Sequence, residues 1–165
     1  NYKGTQFNLN KKYTYTDVCW LLNWKAEEVS LNIGGYKYDK YTNTYPVFIN
    51  YDKSEEVSAS IRYEDRFVDQ SRLIAISKSQ RTIASDDVDN AIHAEERQIL
   101  MPLFVRKNKD DKTSKEFYFL GTIKHNGHLQ EFIMPDTDKS AVEIGYHLNT
   151  PVENNLYEYI TERTI

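Results

Sequence analysis

The residues of this sequence whose types and spacing best support a binding chemistry are Tyr36, Asp39 and Tyr51. A phenol ring is a flat surface on which a nucleotide base stacks, with a gain of roughly 1–3 kcal/mol per base. A carboxylate accepts a hydrogen bond from the exocyclic amino group of cytosine. If the three side chains converge, they form a pocket for a base turned out of a DNA duplex. The spacing alone also fits ordinary half-buried sheet tyrosines beside a turn aspartate.

A second set of side chains has the polar and basic character used for contacts with the DNA backbone. We expect Lys53, Lys78 and Arg81 to hold phosphates, although residues 77–82 also fit a plain solvated turn. Residues 63–66 are expected to enter the gap that a flipped base leaves, with a structural ion pair as the alternative. The expected backbone or groove contacts are Thr42, Asn43, Lys53, Ser54, Tyr63, Ser77, Lys78, Ser79 and Arg81.

Catalytic chemistry has weaker support in the sequence. The close pair His125 and His128 straddles Asn126-Gly127, a dipeptide typical of a tight hairpin turn, so zinc binding is disfavoured. Residues 135–139 contain acidic residues and a lysine, as metal-dependent nucleases do, but they are crowded into one loop. The sequence has no glycine-rich phosphate loop and no nucleophile elbow. We therefore expect a binding module that is not an enzyme and needs no cofactor or metal of its own.

The composition is that of a globular domain with an unusual number of tyrosines. The chain has 165 residues, 39% of them hydrophobic, with 13 tyrosines and a net charge of −4. This length predicts a single domain over residues 1–165. The negative charge argues against binding nucleic acid over the whole surface, while a local basic rim remains compatible with it.

Three further features bear on the setting of the protein. Cys19 lies in an apolar run and is expected to be a buried, inert thiol. No apolar run approaches the ~18 residues that cross a bilayer, so we expect a cytoplasmic protein. The chain begins at Asn1, which suggests a fragment of something larger.

Hydrophobic periodicity predicts an α+β fold, mostly antiparallel, with about three helices outside a curved sheet or barrel. A helix is expected to open at Thr16-Asp17, with Trp20 and Trp24 on one buried face. A second helix is expected over residues 85–98 with Ser85 as its cap, and a third over 151–163. The expected strands cover residues 46–51, 58–63, 72–77, 101–106, 116–124, 128–134 and 142–148.

The segment Gly34-Gly35-Tyr36-x-x-Asp39, followed by a turn and aromatic residues up to Tyr51, resembles the pocket of SRA domains, the readers of 5-methylcytosine. This resemblance implies an SRA-like or PUA-like fold in which Tyr36 and Tyr51 sandwich the flipped base and Asp39 bonds its amino edge. The sequence departs from the family after Tyr51, because residues 52–56 lack the glycines of the corresponding SRA loop.

More broadly, the chain is similar to the C-terminal domain of SauUSI-type, modification-dependent restriction enzymes. The similarity includes Lys12-Tyr13-Thr14, Thr42-Asn43-Thr44, residues 63–67 and Pro151-Val152-Glu153. It implies a domain that binds double-stranded DNA containing 5-methyl- or 5-hydroxymethylcytosine. Helicase and nuclease domains upstream in the same polypeptide would use ATP and a divalent metal. The alternative is a protein-interaction or autoinhibitory domain that docks on the helicase motor.

Overall fold

The computed structural model describes residues 1–29, 35–51, 64–107, 115–135 and 137–162. These residues form seven strands, three α-helices and a short 3-10 helix at Ala26–Glu28. The strands are β1 (Lys12–Tyr13), β2 (Val47–Tyr51), β3 (Arg66–Asp69), β4 (Arg72–Ile76), β5 (Pro102–Lys107), β6 (Phe117–Ile133) and β7 (Ser140–Leu148). The helices are α1 (Tyr15–Leu21), α2 (Asp86–Ile92) and α3 (Asn154–Thr161).

The strands form one mixed sheet in the order β2-β5-β6-β7-β4-β3, with β1 paired to the first part of β6. All pairs are antiparallel except β2 with β5, which run parallel. The sheet curls until its two edge strands, β2 and β3, approach each other. At this contact the Phe67 amide of β3 donates a 3.2 Å hydrogen bond to the Tyr51 hydroxyl of β2. The result is a half-barrel with a seam between β2 and the β3–β4 pair.

Alternation along the central strands creates two cores, one on each face of the sheet. In β2 and β5 the side chains of Ile49 and Val105 point into the barrel, while Phe48 and Phe104 pack on the outer face. Helices α2 and α3 contribute to the inner core, and α1 with the N-terminal arm covers the outer one. The expectation of strands flanked by about three helices is therefore confirmed.

The long strand β6 corrects one prediction. Residues 116–124 and 128–134 were expected as two strands joined by an Asn126-Gly127 hairpin, but β6 runs through this dipeptide as a bulge against β7. Gly127 takes the positive φ of 99° that the bulge requires, and Asn126 accepts a hydrogen bond from the His128 amide. A dipeptide suited to a tight turn also suits a bulge, since both need a left-handed residue.

The helix starts also differ from the predictions. Thr14 caps α1 in place of Thr16-Asp17, and the Asp17 side chain completes a capping box with it. Trp20 is 54% exposed, whereas Trp24 is buried. The two side chains do not share one helix face, because α1 ends at Leu21, before Trp24. Ser85 occupies the N-cap position of α2, but its hydroxyl accepts from the Thr82 amide and makes no capping bond.

The strand expected over residues 58–63 lies outside the described residues. Strands β1 and β3 were not predicted as separate elements. Within the described residues, no helix has the length and apolar content needed to cross a bilayer.

Candidate functional site

The seam of the half-barrel contains two adjoining clefts. They share Tyr36, Val47, Ala75, Ile76 and Ser77, which belong to the strand edges and loops on either side. Their cavity volumes are about 20 Å³ for the inner cleft and about 230 Å³ for the outer one. The inner cleft also contains Tyr45, Asp87, Val88, Ile144 and Tyr146, and the outer one Gly35, Phe48, Ile49, Asp65 and Lys78.

Tyr36 bridges the seam. Its backbone pairs with Val47, so Tyr36 lies beside the free edge of β2. Its side chain reaches across the seam to the residues that follow β4. The Tyr36 hydroxyl accepts a 2.8 Å hydrogen bond from the Lys78 amide, just after β4, and donates one of 3.2 Å to Asp87 Oδ2. Burial raises the pKa of Tyr36 well above its usual range, so the hydroxyl stays protonated and keeps its donor role.

Asp87 is the carboxylate of the inner cleft. Its Oδ2 accepts from Tyr36 and also from Arg81 Nε at 2.7 Å, while Oδ1 accepts from the Val88 amide of its own helix. The Asp87 side chain remains 21% exposed. Its two oxygens thus differ, because Oδ2 faces the cleft residues and Oδ1 faces the backbone of α2.

Basic groups stand at the rim of the clefts. The Lys78 ammonium lies 4.8 Å from the centre of the Tyr36 ring, and the Arg81 side chain is 35% exposed. The Asp87 carboxylate raises the pKa of the Arg81 guanidinium, mainly through their hydrogen bond. Aromatic, acidic and basic groups therefore meet within one opening in the barrel.

The structure does not bring together the three residues predicted to form the base pocket. Tyr36 pairs with Val47 and Asp39 with Thr44, so Asp39 lies at one end of this paired segment and Tyr51 lies four residues beyond the other end. At ~3.3 Å per residue, Tyr51 is displaced from the Tyr36 position by roughly 13 Å along β2. Among the described lining residues, neither seam cleft includes Asp39 or Tyr51.

Asp39 and Tyr51 have structural roles instead. The Asp39 side chain, in a residue that is 6% exposed, accepts from the Thr42 amide at 3.0 Å and from the Thr42 hydroxyl at 2.7 Å. Tyr51 is 4% exposed, and its hydroxyl accepts the Phe67 amide that joins the sheet edges. The expectation that Asp39 and Tyr51 converge with Tyr36 is corrected, because one closes a turn and the other fills the core.

The expected backbone contacts fall into three groups. Thr42 and Asn43 lie in the turn after Asp39, where the Asn43 amide group donates to the carbonyls of Arg97 and Gln98. Ser77 and Lys78 line the clefts, and the exposed Ser79 and half-buried Arg81 follow them in the same loop. Predicted contacts outside the described residues are Lys53, Ser54 and Tyr63.

Sequence reasoning missed Asp87, Tyr45 and Tyr146 as cleft residues. Asp87 lies in the first turn of α2 with Asp86 and Asp89, where the helix dipole favours carboxylates. Three carboxylates in one first turn exceed what capping needs, and this was the only available signal. In the part of the chain that the structure describes, no group of three His, Cys, Asp or Glu side chains could hold a metal ion.

Comparison with solved structures identifies the class of fold. The SRA domain of SUVH5 in complex with hemi-methylated CG DNA matches with a TM-score of 0.56 at 9% identity, over 92% of this chain and 96% of that one. The DNA modification-dependent restriction endonuclease AspBHI matches with a TM-score of 0.55 at 12% identity, over 98% and 86%. Arabidopsis thaliana SUVH6 matches with a TM-score of 0.53 at 8% identity, over 89% of this chain and 27% of that one.

The half-barrel is therefore an SRA-like α+β fold, as expected from the sequence. No curated protein sequence matches the chain. The family described as "Domain of unknown function (DUF3427)" matches residues 7–160, and the chain belongs to this family.

Proposed function

We propose that this domain recognises double-stranded DNA containing 5-methylcytosine or 5-hydroxymethylcytosine and receives the modified base in the seam clefts. The observation that carries the proposal is the meeting of Tyr36, Asp87 and Lys78 at an opening in an SRA-like barrel. The solved relatives that share this fold include an SRA domain bound to hemi-methylated CG DNA and a modification-dependent endonuclease.

Each part of the seam has a role in this proposal. The Tyr36 ring supplies the stacking surface, and Asp87 accepts a hydrogen bond from the amino group of cytosine, in place of Asp39. Val47 and Ala75 supply an apolar niche for the substituent at C5. Thymine also carries a methyl group at C5, but it presents a carbonyl oxygen where cytosine has the amino group, and a carboxylate repels that oxygen.

Phosphate contacts come from the loop after β4. Lys78 and Arg81 follow the strand that lines the seam, and Ser79 is exposed beside them. With few such contacts, affinity for unmodified DNA should be modest and should fall steeply with salt. This domain would direct SauUSI-type helicase and nuclease domains, located upstream in the same polypeptide, to modified sites in the cytoplasm. Those domains would use ATP and a divalent metal.

Binding to matched duplexes tests the proposal. Fluorescence anisotropy should show tighter binding to a duplex with one 5-methylcytosine than to the unmodified duplex, at several salt concentrations. Tyr36→Ala should weaken binding to the modified duplex by roughly 5- to 150-fold, the value of one stacked base. Tyr41→Ala is the matched control, because Tyr41 is 61% exposed and absent from the lining of both clefts.

The alternative, a protein-interaction or autoinhibitory domain that docks on a helicase motor, predicts equal affinity for both duplexes at every salt concentration. That result would overturn the proposed function.

A further inference from the structure

Arg81 and Asp87 form an ion pair at the proposed base site. Arg81 Nε lies 2.7 Å from Asp87 Oδ2, the same oxygen that accepts the Tyr36 hydroxyl at 3.2 Å. Both partners of Oδ2 thus come from protein side chains. A cytosine amino group can reach this oxygen well only if one of the two donors leaves.

Arg81 is the donor that has an alternative partner. Tyr36 is also held by the Lys78 amide, and its ring is the stacking surface. In the part of the chain that the structure describes, Arg81 uses only Nε, which leaves the terminal nitrogens of a 35% exposed side chain available. A guanidinium binds phosphate as readily as carboxylate, often through two parallel hydrogen bonds.

We propose that Arg81 moves from Asp87 to a DNA phosphate when the domain binds DNA, and that this exchange frees Asp87 Oδ2 for the base. The inference rests on the proposed function and adds a coupling between backbone contact and base recognition. Exchanging one anionic partner for another costs little, since Arg81 stays paired throughout. Without a phosphate, Asp87 remains occupied, so a free modified nucleoside binds weakly.

The coupling predicts opposite effects of one substitution on two ligands. Arg81→Gln should weaken binding to a 5-methylcytosine duplex and lower the magnitude of its salt slope by about 1, because a phosphate contact is lost. The same variant should bind 5-methyl-2′-deoxycytidine about 2- to 5-fold more tightly, the scale of a lost partly exposed ion pair. Anisotropy measures the first affinity and an NMR titration the second.

Arg72→Gln is the matched control. Arg72 pairs with Asp69 at 2.7 Å, as Arg81 does with Asp87, but neither Arg72 nor Asp69 is among the lining residues of either cleft. This variant should leave the affinities for duplex and nucleoside unchanged. If Arg81→Gln lowers the affinities for duplex and nucleoside by the same factor, Arg81 only positions Asp87 and the proposed exchange of partners is wrong. Unchanged duplex affinity, or no gain for the nucleoside, also overturns it.

The unaltered protein offers a test that does not depend on how well the variant folds. Inorganic phosphate should occupy Arg81 and raise the nucleoside affinity about 2-fold relative to sodium chloride at equal ionic strength. Equal affinities in the two salts overturn the exchange, whereas the proposed function still stands if the modified duplex is preferred. If the unaltered protein shows no preference for the modified duplex, the proposed function fails and the exchange fails with it.

Discussion

The hydroxyl of Tyr36 accepts a 2.8 Å hydrogen bond from the backbone amide of Lys78, 42 residues further along the chain. This bond joins the segment beside β2 to the end of β4 across the open seam of the half-barrel. It holds the Tyr36 ring beside the clefts and places the Lys78 ammonium above that ring.

Tyr36→Phe should separate the structural role of the hydroxyl from the binding role of the ring. The substitution leaves the half-buried Lys78 amide without this acceptor and removes a donor to Asp87, so it should lower the free energy of unfolding by about 1 kcal/mol. Most of the affinity for the modified duplex should remain, because the ring is kept. Urea denaturation measures the stability, with Tyr41→Phe as the control, and a large loss of affinity at normal stability would contradict the assignment.

Asp87→Asn and Asp39→Asn should have different effects. Asp87→Asn removes a charged acceptor from the cleft and should lower the preference for the modified duplex about 5-fold. Asp39→Asn should leave the preference unchanged and mainly weaken the turn that Asp39 closes with Thr42. For both variants, anisotropy measures the preference for the modified duplex, and thermal melting measures the stability. The reverse pattern would restore Asp39 as the residue that contacts the base.

Gly145→Ala should destabilise the fold at the β6–β7 bulge. A Cβ at Gly145 would overlap the Asn126 side-chain oxygen and lie 2.7 Å from His128 Cβ. Overpacking of this kind costs about 1–3 kcal/mol. Adding Asn126→Ala should relieve only part of the loss, because the contact with His128 persists. Chemical denaturation of the single and double variants measures both effects, and a fully stable Gly145→Ala protein would show that the bulge adjusts freely.

The stability of the domain should fall in mild acid, partly through His125. Burial lowers the pKa of His125 below its usual value near 6.5, and Nδ1 of its ring lies 2.9 Å from the Gly145 carbonyl oxygen. The unfolded state therefore takes up the proton first. Stability is complete above about pH 6.5 and declines as the pH falls through the lowered folded-state pKa.

Thermal melts between pH 7.5 and 5 test this role of His125. His125→Gln should flatten part of the pH dependence, whereas His147→Gln, at an exposed position, should not. Parallel curves for the unaltered protein and His125→Gln would contradict the prediction.

The local pattern of the sequence determined most of the secondary structure. Residues 46–51 and 101–106 were expected as strands, and the observed β2 and β5 cover Val47–Tyr51 and Pro102–Lys107. Local patterns fail where one signal serves two structures. Asn126-Gly127 satisfies both a hairpin turn and a bulge, and only the pairing of β6 with β7 over residues 123–133 selects the bulge.

The sequence by itself also determined that Tyr36 and the loop from Ser77 to Arg81 carry groups suited to bases and phosphates. Only the tertiary structure decided which carboxylate accompanies them. Asp39 is three residues from Tyr36 but is committed to a local turn, whereas Asp87 is 51 residues away and bonds directly to it. The physical reason is the curl of the sheet, which brings distant segments together at the seam, whereas Tyr36 and Asp39 pair with opposite ends of residues 44–47.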